Sequence, residues 1–250
     1  MRIALLLPLV LVTGCHFSQI PDPNDVAEIS KLDGKALQER VSLVRRTLDI
    51  YQRQGRIDQS ESTVLLANYV EDQLEGVETA QIPSQQAWRF GDVYRQAENW
   101  EKTRELYTIA VTNAKSEDRR VNDTLRLAEA TAQLGDVPAG IDMVRSTFDT
   151  DPGDKGPILM ATLYEFVPAC LNQGFDDELA RVLEDAVGEH MKTIVDPKTD
   201  EGLAFLDVRP VHINRAYGLI IRLYQSAGEY EEARNAARRS ATLLARFSEA

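Results

Sequence analysis

Histidines, cysteines and acidic side chains are the residues of this sequence whose chemistry suits metal binding, nucleophilic attack or proton transfer. The histidines are His16, His190 and His212, and no two of them have the spacing of a metal site. The sequence also lacks the short motifs of zinc proteases, serine hydrolases, phosphate-binding loops, dinucleotide-binding folds and dithiol redox sites. We therefore expect no enzymatic activity, no metal and no cofactor.

Two groups of acidic residues resemble reactive sites only superficially. Residues 149–154 read Asp-Thr-Asp-Pro-Gly-Asp, but the glycine stands at the fifth position and no glutamate follows at the twelfth, unlike a calcium-binding loop. The pair Glu231-Glu232 begins a predicted helix, where negative charge is favoured by the helix dipole. Both groups are therefore interpreted as parts of turns and helix starts.

The overall charge of the chain is strongly acidic. Its 250 residues include 28 Lys+Arg and 40 Asp+Glu, which gives a formal net charge of −12. Such a charge disfavours general binding to the phosphates of nucleic acids. A hydrophobic content of 43% is sufficient for one or two globular domains. We expect a folded protein without a nucleic-acid partner.

The first fifteen residues have the composition of an export signal. The apolar stretch 3–12 follows Arg2, and as a helix it would be about 15 Å long, too short to span a bilayer. The sequence Val-Thr-Gly-Cys at 12–15 resembles the lipobox of bacterial lipoproteins. An ordinary signal peptide with a chance cysteine is the alternative interpretation.

The lipobox resemblance implies a membrane tether. In that family the thiol corresponding to Cys15 is joined to diacylglycerol, residues 1–14 are removed, and the new amino group is acylated, for example with palmitate. Two or three acyl chains hold a protein firmly on a membrane, so residues 15–36 would be a lipidated N-terminus and flexible tether. Because residue 16 is His and not Asp, the resemblance favours the outer membrane, with the body in the periplasm.

The second cysteine, Cys170, lies in an apolar segment with Phe166, Val167 and Leu171. Once Cys15 is lipidated, Cys170 has no partner for an intrachain disulfide. We interpret it as a small buried hydrophobic residue rather than as a reactive thiol.

From residue 37 onward, apolar residues recur at helical spacing, which predicts an all-α domain over 37–250. The stretch Phe90-Gly91-x-x-Tyr94, followed by Trp100, Thr103, Tyr107 and Ala110, resembles the tetratricopeptide repeat. A second match, Gly-Glu-Tyr-Glu-Glu-Ala-Arg, lies at 228–234. The resemblance implies an α-solenoid of about five helical hairpins in a right-handed array, in which small residues let antiparallel helices approach.

The remaining hairpins follow from these two templates. Their predicted bounds are 41–74, 84–117, 121–154, 160–193 and 214–247. Their turns are centred on Gly55, Glu98, Gly135, Gly174 and Gly228. Pro168 predicts a kink or early break in the fourth hairpin.

Residues 193–214 form a predicted connector without a repeat pattern. Pro197, Gly202 and Pro210 lie in this segment, but so do Phe205 and Leu206, which we expect to pack back onto the helices. An ordered packing loop, a partner-contact loop and a disordered segment are the alternatives.

The repeat resemblance also implies a concave surface lined by the first helix of each hairpin. In that family five positions of the first helix face the ligand. Carried onto this sequence, they are Arg45, Asp49, Gln52 and Arg53; Trp88, Asp92, Arg95 and Gln96; Asn122, Glu129 and Gln133; Tyr164 and Asn172; and Arg215, Arg222 and Gln225. Leu125, Pro168 and Leu171 also fall at such positions.

Trp88 is the most informative of these residues. A tryptophan beside Arg95 has the composition of a binding hot spot, because it buries a large area with few rotatable bonds. The alternative is that Trp88 packs against an adjacent hairpin or against Ile82-Pro83.

Taken together, the sequence predicts a lipid-anchored, non-enzymatic scaffold that binds an envelope protein or peptide on its concave surface. The alternative is a surface lipoprotein that binds a glycan or another small nutrient, with Trp88 and Tyr164 as stacking platforms. A third possibility is an envelope enzyme whose site follows no known motif.

Overall fold

The structure, a computed structural model, describes residues 34–248 and is built of helices and turns, with no β-strand in that range. The predicted all-α class is confirmed. The α-helices are α1 Gly34–Arg53, α2 Gln59–Gln73, α3 Ala87–Gln96, α4 Trp100–Thr112, α5 Glu117–Gln133, α6 Val137–Ser146, α7 Gly156–Ala161, α8 Val167–Cys170, α9 Asp176–Lys192, α10 Asp200–Ser226 and α11 Tyr230–Ser248. None of the helices within residues 34–248 combines the length and apolarity needed to cross a membrane. The predicted signal peptide and Cys15 lie outside the described residues.

The predicted hairpin turns lie where the backbone turns left-handed. Positive φ angles occur at Gly55 (67°), Glu98 (57°), Gly135 (95°), Gly174 (85°) and Gly228 (81°). These residues separate α1 from α2, α3 from α4, α5 from α6, α8 from α9 and α10 from α11. Left-handed residues therefore separate consecutive helices at the predicted turns, whereas the solenoid arrangement, its handedness and the repeat family stay predictions.

Side-chain caps explain where several helices begin. The side chains of Asp58, Asn99, Ser116, Asp136 and Thr199 each accept a hydrogen bond from the backbone N–H three residues later. Each bond satisfies one of the N–H groups that the first helical turn leaves without a partner. These short polar residues fix the first turns of α2, α4, α5, α6 and α10.

Buried side chains form two hydrophobic cores. The N-terminal core extends from Leu37 to Ala110, and the C-terminal core extends from Val121 to Ala236. Helix α5 joins them, because its Leu127 packs against the N-terminal core while other α5 residues belong to the C-terminal one. Cys170 is fully buried, as predicted, and burial followed by the charge of Glu129 raises its pKa to about 12.

Small residues allow the helices to pack closely. A Cβ atom on Gly91 of α3 would lie 3.0 Å from Cε2 of Tyr107 in α4. A Cβ atom on Gly140 of α6 would lie 2.8 Å from Cε2 of Phe166. Both distances are shorter than ordinary carbon–carbon contacts, so these helix pairs depend on glycine.

The first half of the fourth hairpin is interrupted, as Pro168 predicts. Helix α7 passes into a π-helical turn at Thr162–Phe166, where the N–H of Val167 donates to the carbonyl of Thr162, and α8 follows. Pro168 has no N–H to donate to the carbonyl of Tyr164, four residues earlier. The extra residue of the π turn changes which side chains face the neighbouring helices.

The prediction that residues 193–214 form a connector is wrong over most of that range. The non-helical link is short, and from Asp200 onward the segment forms the first half of α10, which continues to Ser226 with Pro210 inside the helix. The Thr199 cap begins this helix, and residues on both sides of Pro210, including Arg209 and Ile213, are buried in the fold. Phe205 does pack back as expected, with its ring centroid 4.9 Å from that of His190.

Candidate functional site

An open groove of about 580 Å³ runs across the first helices of successive hairpins. We call it the central groove. Helices α1, α3 and α5, the π turn and α8 contribute its walls. The residues that line it are Arg45, Arg95, Gln96, Glu98, Trp100, Glu129, Gln133, Tyr164, Glu165, Pro168 and Ala169.

Several side chains that the repeat resemblance places on one concave surface do line this groove. They come from four different hairpins and are Arg45, Arg95, Gln96, Glu129, Gln133 and Tyr164. Among them Arg45, Gln133 and Tyr164 are exposed, whereas Glu129 is buried in the floor. The groove thus has polar, accessible walls over a fixed acidic group.

Ion pairs connect the helices beneath the groove. Arg95 lies 3.3 Å from Asp92 within α3 and 3.3 Å from Glu129 in α5. Burial acts to lower the pKa of Arg95, but Glu129 and Asp92 outweigh this effect and raise the pKa above its usual value. Arg95 therefore carries a permanent charge that holds α3 against α5.

A second arginine extends this network to the fourth hairpin. Arg126 of α5 is within 3.9 Å of Glu129 and also pairs with Glu165 of the π turn. Burial, reinforced by the charge of Arg95, lowers the pKa of Arg126. On the groove side, a row of ion pairs with alternating charge therefore connects the N-terminal core to the C-terminal core. Its members are Arg95, Glu129, Arg126 and Glu165.

Tyr164 lines the groove and is held by residues of α10. Its hydroxyl lies 2.9 Å from Nδ1 of His212 and accepts a hydrogen bond of 3.1 Å from Nη1 of Arg215. Burial and the charge of Arg215 lower the pKa of His212, so this imidazole is neutral at pH 7. The predicted residues Tyr164 and Arg215 therefore do meet.

Trp88 is half-buried and packs between hairpins, as the packing alternative predicts. The guanidinium carbons of Arg89 and Arg119 lie over its ring, 4.4 Å and 3.6 Å from the centroid. The ring is thus occupied by arginine side chains of its own chain.

A smaller pocket of about 190 Å³ lies beside Tyr107. It is also lined by Trp88, Asp92, Asn122, Gln38, Arg119, Asp123 and Arg126. We call it the Tyr107 pocket.

Other predicted residues lie away from the central groove. Asp49 and Arg53 are near the C-terminal end of α1, and Arg222 is on the exposed side of α10. None of these side chains is among those that line the groove. Gln52 instead donates a hydrogen bond of 2.6 Å to Gln59 in α2.

Four lining residues were not predicted from the sequence as groove residues, namely Glu98, Trp100, Glu165 and Ala169. Trp100 is half-buried and borders the groove, and Glu165 reaches it beside Tyr164. The π turn explains Glu165, because an extra residue per turn brings two consecutive side chains to one wall. Pro168 was the only sequence signal of that irregularity.

Neither the side chains of the central groove nor comparison with known proteins identifies a reaction at this site. Across residues 34–248 no group of three or more His, Cys, Asp or Glu side chains is arranged to hold a metal ion. No protein-family model matches the sequence, and no curated protein matches it at a significant level.

Proposed function

We propose that this protein is a lipid-anchored scaffold that binds a segment of another envelope protein in the central groove. The observation that carries the proposal is that polar side chains from four hairpins converge on one open groove. A surface built from several hairpins can contact an extended or helical segment over its whole length.

The ion pairs beneath the groove support a binding role. Arg95, Glu129 and Arg126 fix the positions of α3 and α5 before any partner arrives. A preorganised surface loses less conformational entropy on binding, which favours affinity. The exposed Arg45 and Gln133 on the rim then supply hydrogen bonds and charge for recognition.

The tether in this proposal is Cys15, which lies outside the described residues. Anchoring confines the groove near the membrane and raises the effective concentration of a membrane-bound partner without new contacts. Cys15→Ser is expected to move the protein from the membrane fraction to the soluble fraction and to abolish fatty-acid labelling. Membrane retention of Cys15→Ser at the level of the unchanged protein would contradict the tether.

Photo-crosslinking in cells tests the binding role. A crosslinkable residue at Gln133, which is exposed on the groove wall, is expected to capture one dominant envelope protein. Thr108 is a matched control, because it is exposed on α4 and does not line the groove. Equal adducts from both positions, or none from Gln133, would overturn the proposal.

A further inference from the structure

The turn between α3 and α4 differs from the other predicted hairpin turns in the residue at its centre. Four of these five turns have glycine at the residue with positive φ, whereas this turn has Glu98 at a φ of 57°. That backbone conformation is disfavoured for residues that carry a Cβ atom. A glycine would suit the backbone better here, but it would remove the carboxylate. The turn therefore presents a charge where its counterparts have no side chain.

The carboxylate of Glu98 is exposed in the central groove without an opposite charge beside it. Glu98 lines the groove, and within residues 34–248 its side chain forms no ion pair. The two other glutamates of the groove are compensated. Glu129 pairs with Arg95 and Arg126, and Glu165 also pairs with Arg126. Among the groove glutamates of the described chain, Glu98 is thus the one left for a cation from outside.

Trp100 provides an aromatic ring beside this carboxylate. It follows Glu98 by two residues, so their Cα atoms are at most about 7.6 Å apart, and both residues line the central groove. In the part of the chain that the structure describes, no Arg or Lys lies over the half-buried ring of Trp100. The ring of Trp88 at the Tyr107 pocket, by contrast, is covered by two arginines. The face of an indole ring attracts cations, so both groups suit one cationic side chain.

The charges of the groove also favour a cation. Three glutamates and two arginines line it, in a chain of net charge −12, and a cleft with excess negative charge concentrates cations. Its own arginines do not neutralise Glu98. Arg95 is held by Asp92 and Glu129, and Arg45 forms no ion pair within residues 34–248. A lone carboxylate is insufficient to hold a metal ion, which leaves an organic cation.

We propose that Glu98 and Trp100 form a subsite of the central groove that binds a lysine or arginine side chain of the partner segment. The proposal rests on the scaffold function proposed above and adds the chemistry of one partner residue. The carboxylate pairs with the ammonium or guanidinium group, and the face of the indole ring contacts it. Because Glu98 is exposed, we expect the subsite to select the partner more than to supply affinity.

Two probes of nearly equal shape test the charge of the ligand in the full-length protein. N-acetyl-arginine amide carries a guanidinium group, and N-acetyl-citrulline amide carries a neutral urea group in its place. The chain has two tryptophans, so two indole N–H signals are expected in a ¹⁵N NMR spectrum. We expect the arginine probe to shift the Trp100 signal saturably, with a dissociation constant on the order of millimolar, and to leave Trp88 unaffected. Equally tight binding of the citrulline probe would overturn the proposal.

Two variants of Glu98 separate the loss of charge from an effect on folding. Glu98→Gln and Glu98→Gly both remove the carboxylate, and each is expected to weaken binding of the arginine probe about threefold. The melting temperature of Glu98→Gly should change little, because glycine adopts the positive φ readily. Glu101→Gln is the matched control, since Glu101 is exposed on α4, does not line the groove and forms no ion pair in the described range. Unchanged binding by Glu98→Gln would contradict the assignment.

The crosslink from Gln133 tests whether the cation belongs to the partner. Glu98→Lys reverses the charge and is expected to lower the yield of the Gln133 adduct about fivefold, whereas Glu101→Lys should leave it unchanged. A yield unaffected by Glu98→Lys would overturn the proposal, and a probe that still binds would then identify the ligand as a free organic cation. Absence of any Gln133 adduct in the unchanged protein would instead contradict the scaffold function, while the NMR titration still tests the cation subsite.

Discussion

At the scale of single residues, Glu129 is a buried charge at the centre of the ion pairs along the central groove. It is 7% exposed and lies between two arginines, 3.3 Å from Arg95 and 3.9 Å from Arg126. Removing its charge would leave these like charges facing each other with poor access to water. The network therefore stabilises the fold while it shapes the groove.

We expect Glu129→Gln to lower the free energy of unfolding by about 3 kcal/mol, because one partner of a largely buried ion network is removed. Urea denaturation followed by circular dichroism measures this change. Glu231→Gln is the control, since Glu231 pairs with Arg234 on an exposed face and its loss should have no measurable effect. Equal stability of the two variants would show that the groove network contributes nothing.

His190 makes the free energy of unfolding depend on pH. Both of its ring nitrogens are buried without hydrogen-bond partners, and burial, with Arg209 and His212 nearby, lowers its pKa from 6.5 to about 4. The unfolded chain therefore binds a proton at higher pH than the folded chain does. Its contribution to stability is complete above about pH 6.5 and is lost as the pH falls towards about 4, by roughly 3 kcal/mol in total.

The measurement is urea denaturation at several values between pH 7.5 and 5, above the range in which most carboxylates titrate. The free energy of unfolding is expected to fall over this range in the unchanged protein and to fall much less in His190→Leu. Parallel profiles for the two proteins would contradict the assignment to His190.

The repeat resemblance places individual groove residues where a regular helix sets the direction of the side chain. Arg95 and Glu129 lie in regular helices, and both side chains line the groove. Glu165 was missed because a π turn alters the register locally. The position of Arg119 over Trp88 was also unpredictable, since Arg119 comes from α5 and Trp88 from α3.

At the scale of helices, the contact between α6 and the fourth hairpin depends on Gly140. A Cβ atom there would lie 2.8 Å from Phe166 and 3.0 Å from the carbonyl oxygen of Ala128, and both of these residues are buried. Gly188 in α9 provides the opposite case, because nothing lies within 4 Å of a Cβ atom at that position.

The same substitution should therefore have opposite effects at these two glycines. Gly140→Ala is expected to destabilise the protein by about 1–3 kcal/mol through overpacking. Gly188→Ala is expected to stabilise it by up to about 1 kcal/mol, because alanine favours a helix more than glycine does. Thermal denaturation of both variants tests the packing, and a stabilising Gly140→Ala would be incompatible with it.

The helices themselves show where a sequence pattern is sufficient. Turn residues such as Gly135 and capping residues such as Asp136 lie close together in the sequence, so the positions of the turns could be predicted from local sequence. The start of α10 could not be predicted, because Pro210 locally disfavours a helix. Its stability depends on contacts with α9, including Phe205 with His190, which only the folded chain brings together.

At the scale of the whole molecule, two cores are joined by α5 and by the ion network on its groove side. The chain carries a net charge of −12, yet the acidic groups in the groove floor are paired with arginines. The central groove is therefore a fixed surface that crosses the junction between the cores. A partner segment lying along it would contact both halves of the protein.

Crosslinking from two different hairpins that line the central groove tests this account most directly. Crosslinkable residues are placed singly at Arg45 in α1 and at Tyr164 in the π turn of the full-length protein, and the captured peptides are identified by mass spectrometry. The account predicts that both positions capture the same envelope protein through neighbouring parts of one segment. Capture of unrelated proteins at the two positions, or of none at either, would contradict it.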